Sequence, residues 1–92
     1  MTHTIKVHPG SVLLDELEER SISQTQLATH IGVLPKTVNE ICRGKRGISA
    51  VMAVQLSRAL GSSPAFWLNL QKNWELSQID AKRFQRITKL AA

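Results

Sequence analysis

The chain contains no tyrosine, two phenylalanines and two tryptophans, so aromatic residues make up 4% of it. Strands draw on aromatic and β-branched residues in alternation, but no apolar alternation is sustained here. No Asn-Gly or Asp-Gly pair is present to close a hairpin, and an all-α fold is expected. A single cysteine, Cys42, excludes an internal disulfide or a cysteine-rich zinc site and fits a reducing compartment. Long apolar runs are missing too. The longest, residues 50–54, falls far short of the roughly 18 to 20 residues a bilayer requires, and the polar start MTHTIKVHPG lacks a secretory apolar region. A cytoplasmic, nucleoid-associated protein with no membrane partner is expected. Acids are few, seven against twelve Lys and Arg, for a formal charge of +5 over 92 residues. That length suits one domain and excludes a two-domain enzyme; a core this small leaves a second copy of the chain as a natural source of buried area.

What the chain does have is a succession of helix signals. Pro9 suits a first helical position, and Val12, Leu13 and Leu17 then form an apolar stripe, predicting a helix over 10–20. Ser23 with Gln26 makes a capping box for a short second helix carrying Leu27, Ala28 and Ile31 inward and stopping at Gly32. A third restarts at Pro35, holds Val38 and Ile41 at i, i+3 and reaches Gly44. Ser49 caps a fourth, with Met52, Ala53, Leu56, Ala59 and Leu60, before Gly61. Ser63 and Pro64 open a fifth, bearing Phe66, Trp67, Leu70 and Trp74. After Asp80 comes a basic tail in which Phe84, Ile87 and Leu90 recur at intervals of three, compatible with helix, strand or a frayed end.

Charge is clustered along this order. Asp15, Glu16, Glu18 and Glu19 crowd the first helix, whereas Lys36, Arg43, Lys45 and Arg46 stand against Glu40 alone, and Lys82, Arg83, Arg86 and Lys89 follow the last acid. Two short helices joined by a tight glycine turn, the second followed by bases, are what a helix-turn-helix requires over 23–44. With Val38 and Ile41 turned inward, Pro35, Lys36, Asn39, Glu40 and Arg43 occupy the outer face of the third helix, where a major groove is read. Other residues carry ordinary structural readings. His3, His8 and His30 have no metal-ligand spacing, Cys42 reads as packing, and the helix 1 acids as a solvated face. No nucleophile, base and oxyanion set can be assembled, so a small hydrolase is excluded and no cofactor or metal is expected.

The sequence resembles the Xre/Cro-type (lambda-repressor-like) helix-turn-helix family, and within it the HigA (VapI-like) antitoxins of type II toxin–antitoxin pairs. The resemblance covers residues 8 to about 80. It rests on His8-Pro9-Gly10, on Ser23-Gln24-Thr25-Gln26-Leu27-Ala28, on Gly44-Lys45-Arg46-Gly47-Ile48-Ser49, and on Ala59-Leu60-Gly61-Ser62-Ser63-Pro64 running into Phe66-Trp67-Leu68-Asn69-Leu70-Gln71. The last segment is the most specific. The resemblance implies a homodimeric autorepressor of a palindromic operator in double-stranded DNA that also neutralises a RelE/HigB-like mRNA-cleaving toxin. The alternative is a free-standing Xre-type regulator without a toxin.

Position by position, the resemblance puts Ser23 and Gln24 on phosphates and Lys36, Thr37, Asn39 and Glu40 at the groove. Pro35 departs from the polar reader that related repressors carry and offers only apolar contact, as to a thymine methyl, while Leu34 replaces the usual Ser or Thr cap. Readout then shifts to Lys36, which can bond guanine O6 and N7, and to Asn39, which can pair bidentately with adenine. Arg43, Lys45 and Arg46 are assigned to phosphates. The fifth helix, over 63–80, is apolar over an arc too wide for helices 1 to 4 to cover, so Trp67, Leu68, Leu70 and Trp74 are expected at a dimer interface. A cationic ribonuclease needs an anionic or apolar dock, for which Leu14, Asp15, Glu18 and Glu19 are the candidates. The expected organisation is a single five-helix domain over 1–92 with a basic tail at 81–92.

Overall fold

A computed structural model describes residues 7–91. It contains α1 (Pro9–Glu19), α2 (Gln24–Ile31), α3 (Pro35–Cys42), α4 (Ala50–Leu60) and α5 (Pro64–Ser77), followed by a 3-10 turn at Ala81–Phe84. No strand occurs among the described residues. His3 lies outside them.

Local chemistry sets most of these boundaries. The hydroxyls of Ser23, Ser49 and Ser63 accept hydrogen bonds from the backbone N–H groups of Gln26 (3.0 Å), Met52 (3.1 Å) and Phe66 (3.1 Å), each satisfying one orphan donor of a helix start. Gln26 completes the capping box by accepting from the Ser23 N–H at 2.7 Å. At the other end of α2, Gly32 adopts φ 81°, a left-handed conformation costly for any residue with a Cβ, and this turns the chain between α2 and α3. α3 lacks a capping side chain because Leu34 holds the N-cap position; Pro35, with φ already fixed near the helical value, stands at its first turn instead.

α5 ends at Ser77, three residues before the expected 80. Gln78 and Ile79 donate to the carbonyls of Glu75 (3.1 Å) and Leu76 (3.2 Å), and these i to i+3 bonds tighten the last turn and close the helix. The tail beyond is neither an α-helix nor a strand, only the short 3-10 turn.

The core gathers Val12, Leu13 and Leu17 of α1, Leu27 and Ala28 of α2, Val38 and Ile41 of α3, Met52, Ala53, Leu56 and Leu60 of α4, and Trp67 of α5, with Ile48 from the loop before α4. The start of α1 crosses the end of α3 so closely that a Cβ on Gly10 would lie 1.7 Å from the Ile41 carbonyl oxygen, so only glycine fits there. Polar ties join elements distant in sequence. Arg20 donates to the Leu60 carbonyl at 2.8 Å and Gln55 to that of Ile31 at 3.2 Å.

Trp67 is fully buried, with its indole N–H donating to Ser62 Oγ at 2.8 Å. This corrects the expectation that it faces a partner, since the four preceding helices cover more of α5 than its apolar arc suggested. Leu68 and Leu70 are likewise packed in part against the same core. Trp74 is half-buried and meets the His8 ring edge-on, centroids 4.7 Å apart at 75°. What α5 leaves exposed is Phe66 and Leu76, continued by Ile79, Phe84, Ile87 and Leu90 of the tail. The Cα radius of gyration, 15.9 Å, exceeds the roughly 12 Å of a compact chain this long, and residues 78–91 are all exposed.

His8 caps α1 through Nδ1, which accepts the Gly10 N–H at 2.9 Å, and burial holds its pKa below the ordinary value. Protonating Nδ1 would remove the acceptor. The folded state therefore takes up this proton less readily than the unfolded chain, whose histidine titrates near about 6.5. Stability from this cap is fully present above that pH and is lost as pH falls through the folded pKa. The thermal midpoint is expected to drop between pH 7 and pH 5, and to drop less in a His8→Asn variant, whose side chain still accepts the bond. Parallel profiles for the two proteins would deny His8 this role.

Candidate nucleic-acid interface

The pairing of α2 with α3 through Leu27, Ala28, Val38 and Ile41 fixes which side of α3 faces outward. Val38 and Ile41 are fully buried, so Lys36, Asn39, Glu40 and Arg43, at helical spacing from one another, form the opposite row. Pro35, Lys36 and Arg43 are exposed, and Thr37, Asn39 and Glu40 half-buried. Arg43 is the C-cap of α3, not part of its helical body. Lys45 and Arg46 follow in the exposed loop that leads to α4.

Four of the sequence-derived candidates pair with one another, in two pairs that sequence alone did not reveal. Asn39 Nδ2 donates to Gln24 Oε1 at 3.1 Å, across the turn from the first residue of α2. Arg46 donates through Nε (3.0 Å) and Nη2 (2.8 Å) to Glu40 Oε1. The Arg46 hydrogen bond holds the Glu40 carboxyl below the usual carboxylate range, reinforced by the charges of Arg46, Lys36 and Lys45. Such an exposed pair contributes little to stability. Its electrostatic effect is local: the one acid on the outward row is matched by a cation, while Lys36, Arg43 and Lys45 make no ion pair among the described residues.

The loop carrying Lys45 and Arg46 is itself held. The Ile48 N–H donates to Gln71 Oε1 at 2.7 Å, and Gln71 Nε2 donates to Glu75 Oε2 at 3.1 Å, tying the loop to α5. Gln71 was not among the candidate functional residues, although it ends the Phe-Trp-Leu-Asn-Leu-Gln segment that carried the resemblance. Ser23 is exposed, its hydroxyl engaged as the α2 cap.

The remaining candidates lie elsewhere. Asp15, Glu18 and Glu19 are exposed on α1 and Leu14 is half-buried beside them, while Glu16 bonds Arg20 at 3.1 Å. Cys42 is half-buried, and burial pushes its thiol up to about 11, which keeps it protonated and unreactive at neutral pH.

Comparison with known proteins agrees with this architecture. The helix-turn-helix family matches residues 13–67. The HTH-type transcriptional regulator YddM of Escherichia coli K12 is 34% identical over 83 residues, spanning 86% of this chain and 88% of its own length. The Pseudomonas aeruginosa antitoxin HigA, solved with the higBA promoter, superimposes with a TM-score of 0.85 at 40% identity, covering 91% of this chain and 96% of that one. An addiction-module antidote protein of the HigA family from Coxiella burnetii gives 0.83 at 32% identity, covering 94% and 98%.

Proposed function

Because the chain belongs to the Xre-type helix-turn-helix family and shares its fold with HigA antitoxins, we propose that it is the antitoxin of a type II pair, a homodimeric autorepressor that also neutralises a RelE/HigB-like toxin. The family is one of DNA-binding regulators and antitoxins, not of enzymes. The observation that carries the reading is the outward row of α3, with Lys36 exposed and Asn39 half-buried on the side opposite the fully buried Val38 and Ile41, on a fold shared with an antitoxin solved on promoter DNA.

In this reading α3 enters the major groove of a palindromic operator. Lys36 and Asn39 meet base edges, Pro35 and Thr37 line the approach, and Ser23, Gln24, Arg43 and Lys45 hold phosphates. Arg46 is shared between phosphate and Glu40, whose repulsion from the backbone it cancels. If a dimer neutralises about six phosphates, log K against log salt falls with a slope near about −5. Lys45→Ala is expected to flatten the slope and weaken all sequences alike, whereas Asn39→Ala costs about 1 to 3 kcal/mol on the operator only. Equal loss on operator and random duplex, measured by fluorescence anisotropy, would remove Asn39 from base readout.

The toxin surface is assigned to Leu14, Asp15, Glu18 and Glu19, whose exposed acids pair with none of the bases of α3 or its loop. Reversing the charge of Glu18 and Glu19 is expected to slow association with a cationic toxin, most at low salt, and to leave operator binding nearly intact. An unchanged association rate at low salt would return that face to plain solvation. The second reading, a free-standing regulator, is favoured by the description of YddM as a transcriptional regulator; a co-expressed neighbouring toxin captured by this chain decides between the two.

A further inference from the structure

We infer that Gln24 is a positioning residue that fixes the amide of Asn39 and thereby makes the third helix discriminate adenine from guanine. The inference rests on the reading of α3 as the groove-facing helix. It goes beyond that reading because Gln24 there only holds a phosphate.

The observation is the 3.1 Å hydrogen bond in which Asn39 Nδ2 donates to Gln24 Oε1. The two residues stand 15 positions apart on different helices, and Asn39 is half-buried, so the contact is built by the α2–α3 packing and not by chance proximity on one helix. An asparagine amide has two N–H donors on one nitrogen and an acceptor oxygen. Free to rotate, it can present its oxygen and one hydrogen to adenine, which offers an N6 donor and an N7 acceptor. It can also swing its nitrogen toward guanine, whose O6 and N7 are both acceptors. Committing one hydrogen to Gln24 removes the second option. The other hydrogen and the oxygen remain, the pair that adenine needs, and guanine meets an oxygen where it requires a donor. Gln24 Nε2 has no partner among the described residues, which leaves it able to meet a phosphate at the same time.

The test uses the full chain and the duplex it selects from a randomised pool, then replaces each selected A·T pair in turn by G·C. At the position read by Asn39, the wild type is expected to prefer A over G by about five- to 150-fold, the span of about 1 to 3 kcal/mol. Gln24→Ala should cut that ratio to within about threefold, with the ratios at other positions unchanged. Gln24→Glu keeps an acceptor for Asn39, so it should retain the A over G ratio while weakening every duplex alike through its added negative charge. Thermal unfolding of both variants near the wild-type midpoint places the effect on recognition. If Gln24→Ala weakens all duplexes equally with the ratio intact, Gln24 is a phosphate contact only and the inference is overturned. A wild-type chain that selects no sequence would instead overturn the DNA-binding reading, and this inference with it.

Discussion

Trp67→Ala is expected to leave the chain largely unfolded at 37 °C. The indole is the largest fully buried side chain in the core, and truncating a packed tryptophan costs about 3 to 5 kcal/mol. The loss does not stop at the cavity. Ser62 Oγ loses the indole N–H that donates to it at 2.8 Å, and Phe66 loses the ring it meets edge-on, centroids 5.1 Å apart at 86°. Domains of this size are stable by about 5 to 15 kcal/mol in all, so between about a fifth and the whole of the total disappears. Circular dichroism melts should show the midpoint falling by more than about 15 °C, and Trp67→Phe should recover part of it, because a ring still fills most of the space. A fall of only a few degrees for Trp67→Ala would mean that the α4–α5 packing tolerates the hole, and that the interface role first expected for this residue deserves another test.

That misplacement of Trp67 marks the boundary between what the sequence makes legible and what it does not. Helix starts and stops are written locally, since a serine three residues before a free N–H or a glycine past the last apolar position acts through the adjacent backbone. Accordingly Ser23, Ser49, Ser63, Gly32 and Gly61 all stand where their local chemistry requires. The outward row of α3 was legible for the same reason, because Val38 and Ile41 leave only one direction for Lys36 and Asn39. Contacts between distant segments carry no such signature. Arg20 to Leu60 spans 40 residues, Gln55 to Ile31 spans 24 and Ile48 to Gln71 spans 23, and nothing in the spacing of a glutamine announces which backbone group it will meet. Helical periodicity likewise says that a face is apolar without saying whether the same chain or another covers it. For α5, the same chain covers Trp67 fully and Leu68, Leu70 and Trp74 in part, and leaves Phe66 and Leu76 exposed.

The apolar surface left over therefore lies further along the chain, and it carries the second large prediction. Leu76, Ile79, Phe84, Ile87 and Leu90 are 44 to 94% exposed; Leu76 lies in the last turn of α5 and the others on the tail beyond it, whose residues 78–91 are all exposed. In a monomer this strip would face water with no compensating contact, whereas two copies placed back to back could each cover the other's strip and remove it from solvent. Homodimerisation is thus proposed through the end of α5 and the tail, with the Phe66 edge of α5 beside them. Replacing Ile79 and Ile87 together by Asp is expected to give a folded monomer, because both side chains are exposed and neither belongs to the core. Sedimentation at micromolar concentration should show the wild type as a dimer and the variant as a monomer with an unchanged helical spectrum. Operator affinity should then fall by about 10² to 10⁴, since two recognition helices that bound as one unit must now bind separately. A variant that remains dimeric would move the interface to other exposed apolar positions such as Val51 and Val54 of α4, and a wild type that is monomeric while binding a palindrome tightly would end the dimer proposal altogether.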